Sequence, residues 1–141
     1  MATLLDTNVL SELLRGAPEP AVLNWFAGQS APALFTSAVT QAEMLLGAEQ
    51  LPAGQRREKL RAALRAVFDE DFAGRIWAFD SAAAPHFALV VDTRRRAGRP
   101  ISQFDAQIAA IALQRGTALA TRNTADFEGC GLTLVNPWLA A

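Results

Sequence analysis

The stretch Thr3-Leu4-Leu5-Asp6-Thr7-Asn8 passes from a short apolar run, typical of a buried strand, to the first turn of a helix. A carboxylate and two hydrogen-bonding side chains therefore stand at the strand-to-helix junction. Open α/β sheets bind ligands outside the carboxyl ends of their strands, which makes Asp6 a candidate site residue. The helix dipole also favours an acid in this position, so a purely structural role for Asp6 is the alternative.

Short apolar runs and helix-like segments alternate outward from this stretch. The expected strands are Thr3–Leu5, Ala33–Thr36, Arg75–Phe79, Leu119–Thr121 and Leu132–Val135. The expected helices are Asn8–Leu14, a segment after Pro20, a helix begun at Ser37 or Thr40, Gln55–Phe68, Ser81–Arg96 and Phe104–Arg115. Such alternation predicts an α/β fold whose mainly parallel sheet is covered by helices on both faces.

The composition indicates a single globular domain over residues 1–141. The net charge is −1 and 51% of the residues are hydrophobic, and a domain of this length buries roughly 70% of its unfolded surface. The chain has no signal-peptide pattern and no apolar run of membrane-spanning length. Its single cysteine, Cys130, fits a reducing compartment. We therefore expect a cytoplasmic protein that does not enter the membrane.

Three further acids stand near predicted junctions between strand-like and helix-like segments. Glu43 follows the second predicted strand, Asp105 follows an apolar run that ends at Ile101, and Asp126 follows the fourth strand. The helix behind Asp105 is almost uncharged, which indicates a buried element. If the apolar runs are parallel strands, the acids meet at one edge of the sheet.

Each of these acids also has a structural interpretation. A helix begun at Thr40 would make Thr40 to Glu43 a capping box, whereas a start at Ser37 would leave Glu43 free to face the sheet edge. The sequence from Ser102 to Asp105 resembles a capping signal as well. Asp126 suits an Asx turn, and the nearby Asn123 competes with it for the same role.

Clustered carboxylates require a counter charge. Two unit charges about 4 Å apart repel by about 4 kcal/mol at an effective dielectric near 20, so such a cluster implies a cation or raised pKa values. Oxygen ligands favour Mg²⁺ or Mn²⁺. A zinc site is disfavoured because His86 and Cys130 are the only residues of their kinds and cannot supply the usual ligands. We expect packing or surface roles for both.

Positive charge is concentrated in two segments, although the net charge is close to zero. Such patches suit phosphate binding, because attraction acts within about a Debye length, roughly 8–10 Å. A solvated helix face is the equally favoured alternative. The two patches are Arg56, Arg57, Lys59, Arg61 and Arg65, and Arg94, Arg95, Arg96 and Arg99.

Five blocks of the sequence carry a resemblance to a known family. They are Leu4 to Glu12, Ser37 to Glu43 with Leu46-Gly47, Phe104 to Ala110, Ala120 to Phe127, and the ending Asn136-Pro137-Trp138. Together, these blocks resemble the PIN-domain ribonucleases, and more closely the VapC and FitB toxins of bacterial type II toxin–antitoxin systems. The similarity runs through the whole chain in order.

The resemblance implies a three-layer α/β/α sandwich and a Mg²⁺- or Mn²⁺-dependent endoribonuclease that cleaves tRNA or other loop or single-stranded RNA. It implies metal-binding roles for Asp6, Glu43 and Asp105. Asn123 or Asp126 would be the fourth member, and Asp126 is also a candidate catalytic acid. Thr7, Asn8 and Thr121 are the expected supporting residues.

The resemblance also implies partners. A homodimer and a small VapB-like antitoxin are expected, and the antitoxin rather than this chain would contact operator DNA. Candidates for an apolar antitoxin groove are Trp25, Phe26 and Leu45, although residues of these kinds are more often part of the core.

Two rival functions are compatible with parts of the pattern. A haloacid-dehalogenase-like phosphoryl-transfer enzyme also has an acid after its first strand, but it needs a second acid where this chain has Asn8. A catalytically weak protein that acts mainly by binding an antitoxin is the other rival, and Asn123 in place of an acid is its only support.

Overall fold

A computed structural model describes residues 1–140 of the chain. Its strands are β1 (Thr3–Leu5), β2 (Leu34–Ser37), β3 (Ile76–Trp77), β4 (Ala118–Ala120) and β5 (Leu134–Val135). Its α-helices are α1 (Thr7–Leu13), α2 (Pro20–Ala27), α3 (Ala38–Glu49), α4 (Gln55–Arg65), α5 (Ala84–Arg96) and α6 (Gln103–Arg115). Two 3-10 helices, Ala31–Ala33 and Thr124–Phe127, and a π-helical turn, Ala66–Asp71, complete the described elements.

The five strands form one parallel sheet in the order β3-β2-β1-β4-β5. The chain first extends the sheet from β1 to β3, and then adds β4 and β5 on the other side of β1. Strand order therefore reverses between β1 and β4, where open α/β sheets have their ligand crevice. The parallel α/β sheet predicted from the sequence is confirmed.

Neighbouring strand residues face opposite sides of the sheet and so build two cores. Leu4 and Leu119 pack with residues of α5 and α6 on one side. Leu5 and Ala120 pack with residues of α1, α3 and α4 on the other. Helices thus cover both faces, and the predicted three-layer α/β/α sandwich is confirmed.

Several predicted boundaries are wrong, each for a local reason. Strand β2 begins one residue late because Ala31–Ala33 forms a 3-10 helix. Strand β3 is short because it pairs only with the last two residues of β2. Ser81 does not cap α5, since the Asp80 carboxylate accepts from the Ala83 backbone N–H and the helix begins at Ala84.

Two further expectations need correction. The helix predicted over Gln55–Phe68 is α-helical only to Arg65 and continues as the π-helical turn. The apolar run at Ile101 forms no strand among the described residues, so α6 follows α5 directly through a loop. Asp105 therefore lies in the first turn of a helix that does not follow a strand.

No helix within residues 1–140 combines the length and apolar character that a membrane crossing needs.

Candidate functional site

A cleft of about 410 Å³ opens at the carboxyl ends of β1 and β4, where strand order reverses. Three of the four acids singled out in the sequence line it, as do Asn123 and two of the expected supporting residues. Asp126 does not line it, and the buried Thr121 lies behind Asp6. The lining residues are Asp6, Thr7, Asn8, Ser11, Glu12, Arg15, Glu43, Asp105, Arg122, Asn123 and Trp138.

Asp6 ends β1 and is buried, with 4% of its surface exposed. Its carboxylate accepts hydrogen bonds from the Thr7 backbone N–H at 2.8 Å, the Thr121 hydroxyl at 2.7 Å and the Asn8 amide at 3.3 Å. The pKa of Asp6 is raised to about 6, mainly by burial and also by the charges of Asp105 and Glu43, although the hydrogen bonds from Thr121 and Thr7 lower it. Asp6 thus caps α1 and faces the cleft at once.

Glu43 lies in the second turn of α3, because the helix is capped at Ser37, whose hydroxyl accepts from the Thr40 backbone N–H. The capping box with Thr40 as its first residue therefore does not form. The carboxylate of Glu43 instead accepts a hydrogen bond of 2.8 Å from the Thr7 hydroxyl. The Thr7 hydroxyl also lies 3.0 Å from the hydroxyl of the buried Thr40, so two helices together fix Glu43.

Asp105 lies in the first turn of α6, and its backbone N–H donates to the Ser102 hydroxyl at 3.2 Å. The capping interpretation of Ser102 is therefore correct, and Asp105 nevertheless lines the cleft. Burial raises the pKa of Asp105, as do the charges of Asp126 and Glu43, whereas Ser102 and Arg94 lower it.

Asn123 and Asp126, the two candidates for the fourth ligand, occupy different positions relative to the cleft. Asn123 precedes the 3-10 helix Thr124–Phe127 and lines the cleft, and its backbone N–H donates to the Thr121 hydroxyl at 3.1 Å. Asp126 is exposed outside the lining but is close enough to Asp105 to raise its pKa. The choice between them stays a prediction.

Five lining residues were given no role by the sequence. Ser11 follows Thr7 by four residues, so the helical period itself would have placed it on the cleft face of α1. Arg15 continues this spacing just beyond the end of the helix. Glu12 likewise follows Asn8 by four. Arg122 and Trp138 carry no comparable signal, because their position depends on where β4 and β5 end.

The donor groups fit a hard divalent cation, although residues 1–140 contain no preformed cluster of three acid, imidazole or thiol side chains. Magnesium usually keeps several waters and binds through one or two carboxylates plus substrate phosphates, so its ligands need not converge tightly. Only oxygen donors come from Asp6, Glu43, Asp105 and Asn123. The raised pKa values of Asp6 and Asp105 mark a cost of ionisation that a cation would offset.

The second basic patch is mainly structural. Arg94 is buried and donates to the backbone carbonyls of Glu128 and Ala125. Arg99 also donates to the Ala125 carbonyl and forms an ion pair with Glu128. Arg96 forms an ion pair with Asp92.

In the first basic patch, Arg61 forms ion pairs with Glu49 and Glu58. Arg56, Lys59 and Arg65 are exposed.

The remaining candidates lie away from the cleft. Cys130 is buried and burial raises the pKa of its thiol, which disfavours a nucleophilic thiolate. Trp25 and Phe26 pack against the core beside α1, whereas Leu45 is exposed on α3.

Residues 3–128 match the family model of the PIN domain. The chain belongs to the PIN-domain family. The plasmid stability protein StbB of Pseudomonas syringae pv. tomato is 41% identical over 137 residues, which are 97% of this chain and 99% of StbB. The VapC ribonuclease Y4jK of Sinorhizobium fredii is 39% identical over 135 residues, 96% of each chain. These matches confirm the predicted kinship with PIN-domain toxins.

A solved structure of a FitAB complex bound to a DNA fragment contains a chain with the same PIN fold. That chain is 35% identical to this one, with a TM-score of 0.92 over 99% of this chain and 97% of its own length. The structural agreement therefore covers nearly the whole of both chains.

Proposed function

We propose that this PIN-domain protein is a divalent-metal-dependent endoribonuclease and the toxin of a type II toxin–antitoxin pair. The observation that carries the proposal is the convergence of Asp6, Glu43 and Asp105 on one cleft at the switch point of the sheet. The relative Y4jK is named a ribonuclease, which supports the same chemistry. The PIN-family match also disfavours the haloacid-dehalogenase-like alternative.

The chain's own residues position the reacting groups. Asp6, Glu43 and Asp105 would hold Mg²⁺ or Mn²⁺, with Asn123 or Asp126 as the fourth ligand. Such an ion supplies charge stabilisation at the phosphate and lowers the pKa of a bound water. Thr7 orients Glu43, while Asn8 and Thr121 orient Asp6, the supporting role that groups behind metal ligands usually have.

The proposed substrate is single-stranded or loop RNA, including tRNA, because unpaired nucleotides can enter an open cleft. Hydrolysis by an activated water would leave 5′-phosphate and 3′-hydroxyl ends. A metal-independent attack by the ribose 2′-hydroxyl would leave a cyclic phosphate instead.

The proposed partners are a small VapB-like antitoxin and a second copy of this chain. Support comes from the related FitAB complex bound to DNA and from the DNA-bound VapBC complex of Salmonella typhimurium, whose chain is 26% identical with a TM-score of 0.79. The antitoxin would contact DNA, and this chain would do so only indirectly.

The decisive experiment is cleavage of total RNA by the purified protein with Mg²⁺, with Mn²⁺ or with EDTA, followed by mapping of the cut ends. We expect metal-dependent cuts with 5′-phosphates, and their loss in Asp6→Ala and Asp105→Ala. Cleavage that resists EDTA, or cyclic-phosphate ends, would reject the mechanism. Failure of the folded protein to cleave any RNA, with antitoxin binding retained, would favour the catalytically weak alternative.

The fourth ligand can be assigned by a pair of substitutions. Asn123→Ala and Asp126→Ala are compared for the Mn²⁺ concentration that gives half-maximal cleavage. We expect substitution of the ligand to raise this concentration and substitution of the other residue to leave it unchanged. The expected increase is about 10- to 100-fold, the range found when supporting groups of metal sites are mutated.

A further inference from the structure

Arg122 and Trp138 form one wall of the cleft and have no part in holding its acids. The guanidinium carbon of Arg122 lies 5.2 Å from the centre of the Trp138 ring, and both side chains line the cleft with Asp6. Within residues 1–140, Arg122 has no ion-pair partner. Its charge helps to lower the pKa of Glu12, but the ion-pair partner of Glu12 is Arg15. The guanidinium of Arg122 is therefore available to a ligand.

A continuous set of hydrogen bonds fixes this wall relative to the acid at the end of β1. Asn8 donates from its amide to Asp6 and accepts from the backbone N–H of Arg122 at 3.2 Å. The Arg122 carbonyl accepts from the Asn136 amide at 3.4 Å, and the Asn136 side-chain oxygen accepts from the Trp138 backbone N–H at 3.0 Å. The backbone at both wall residues is thus held at a set position beside the site.

We propose that Arg122 binds a phosphate next to the scissile one and that Trp138 stacks on the base beside it. Guanidinium groups recognise phosphates through paired hydrogen bonds, and splayed bases of single-stranded RNA stack on aromatic side chains and arginine planes. An unpaired arginine over a half-buried indole offers both contacts at the edge of the acidic cleft. The inference rests on the proposed ribonuclease function and names the contacts that hold its substrate.

Stacking has a defined consequence for specificity. Every base has a face that can stack, so Trp138 distinguishes a nucleotide from an abasic site more strongly than one base from another. The wall therefore fixes where the strand lies, and not which sequence it carries.

The chain offers a matched control for this pair. The guanidinium carbon of Arg115 lies 5.0 Å from the centre of the Trp77 ring, in the same cation–π arrangement. Neither residue lines the cleft, and Trp77 stacks on Phe35 at a centroid distance of 4.0 Å. Substitutions at Arg115 reproduce the chemical change without touching the proposed wall.

The test measures binding of two fluorescein-labelled dodecamers, oligoadenylate and its abasic ribose-phosphate equivalent, by the full chain with Ca²⁺ in place of Mg²⁺. We expect wild type to prefer oligoadenylate. Trp138→Leu should weaken oligoadenylate binding about 5- to 150-fold, the range for one stacked base, and leave abasic binding nearly unchanged. Arg122→Met should weaken both ligands and reduce the salt dependence of binding by about one phosphate contact.

Arg115→Met should bind both ligands like wild type. The inference is overturned if Trp138→Leu, folded by circular dichroism, keeps the full preference for oligoadenylate, or if Arg122→Met behaves like Arg115→Met. It is also overturned if these variants lose only antitoxin binding, which would assign the wall to that partner.

A second measurement covers the case in which Trp138→Leu does not fold. In the double variant Trp25→Phe/Trp77→Phe, Trp138 is the single remaining tryptophan. We expect oligoadenylate, but not the abasic strand, to quench its fluorescence. Binding without quenching would reject the stacking contact. The proposed function is tested by a different outcome. It is rejected if the wild-type protein neither cleaves nor binds RNA.

Discussion

Thr7 is the single residue that connects two of the acids. It follows Asp6 in sequence, its backbone N–H donates to that carboxylate, and its hydroxyl donates to Glu43. A hydroxyl at this position therefore sets the distance between the end of β1 and the second turn of α3.

We predict that Thr7→Val lowers RNA cleavage about 10- to 100-fold at limiting Mg²⁺, because Glu43 loses the donor that orients it. Thr7→Ser keeps the hydroxyl and is the matched control, with activity near that of wild type. The measurement is the Mg²⁺ dependence of cleavage, with circular dichroism to check the fold. Equal losses in the two variants would contradict the prediction, because they would show that retaining the hydroxyl is not enough to retain activity.

Asp6 makes the stability of the metal-free protein depend on pH. Its pKa of about 6 in the fold exceeds the ordinary value of 3.8, so the folded chain binds the proton more tightly than the unfolded chain does. Stability is therefore greatest below the lower value, falls as the pH rises between the two values, and is level above about 6. The full loss is about 3 kcal/mol.

Asp6→Asn removes this ionisation, so the variant should gain about 1 kcal/mol relative to wild type between about pH 5 and pH 7.5 in EDTA. Urea unfolding of both proteins at the two pH values measures the change. The comparison cancels the titration of groups that both proteins share. A difference that does not vary with pH would contradict the raised pKa.

Among the elements, the last turn of α5 contacts the segment that contains Asn123 and Asp126, the two candidates for the fourth ligand. Arg94 is 6% exposed and reaches the carbonyls of Glu128, at 2.6 Å, and Ala125, at 3.4 Å. Ala125 lies within the 3-10 helix Thr124–Phe127, which follows Asn123, and Glu128 comes directly after that helix. The contacts of the buried Arg94 therefore stabilise the packing of α5 and also position the segment that follows Asn123 at the cleft.

We predict that Arg94→Met lowers the free energy of unfolding by about 2 kcal/mol, because the carbonyls of Ala125 and Glu128 lose the charged donor that Arg94 supplies. Arg95→Met is the control at the exposed neighbouring position and should change stability by less than about 0.5 kcal/mol. Urea unfolding in EDTA is the measurement. Similar values for the two variants would mean that solvent replaces the Arg94 contacts.

At the scale of the whole molecule, the sheet brings carboxylates from α3, α6 and the end of β1 to one cleft, so binding a cation there stabilises the entire fold. A ligand that binds only the folded state raises stability in proportion to the logarithm of its concentration. Protons compete for the same carboxylates, because the pKa values of Asp6 and Asp105 are raised.

We therefore expect Mg²⁺ or Mn²⁺ to raise Tm relative to EDTA, and to do so more at about pH 7.5 than at about pH 5. Thermal unfolding with and without metal at both pH values measures this. Asp105→Asn should reduce the metal-induced shift, whereas Asp92→Asn, on the exposed face of α5, should keep it. An equal shift in both variants would place the bound ion elsewhere.

The fold class and the candidate acids could both be predicted from the sequence. Apolar runs such as Thr3–Leu5, repeated between helix-like segments, require a parallel sheet with two covered faces, and the order of the motif blocks indicated the PIN family. Local chemistry was sufficient here because strand burial and helix periodicity are properties of neighbouring residues.

The folded structure was needed to show which acids share the cleft and which other residues form it. Asp105 reaches the site without following a strand, Asp126 stays outside the lining, and Trp138 arrives from the end of the chain. These positions depend on the strand order, which brings β4 and β5 beside β1 on the side away from β2. The physical reason is that a cleft is made by residues far apart in sequence, and no local pattern encodes the distance between them.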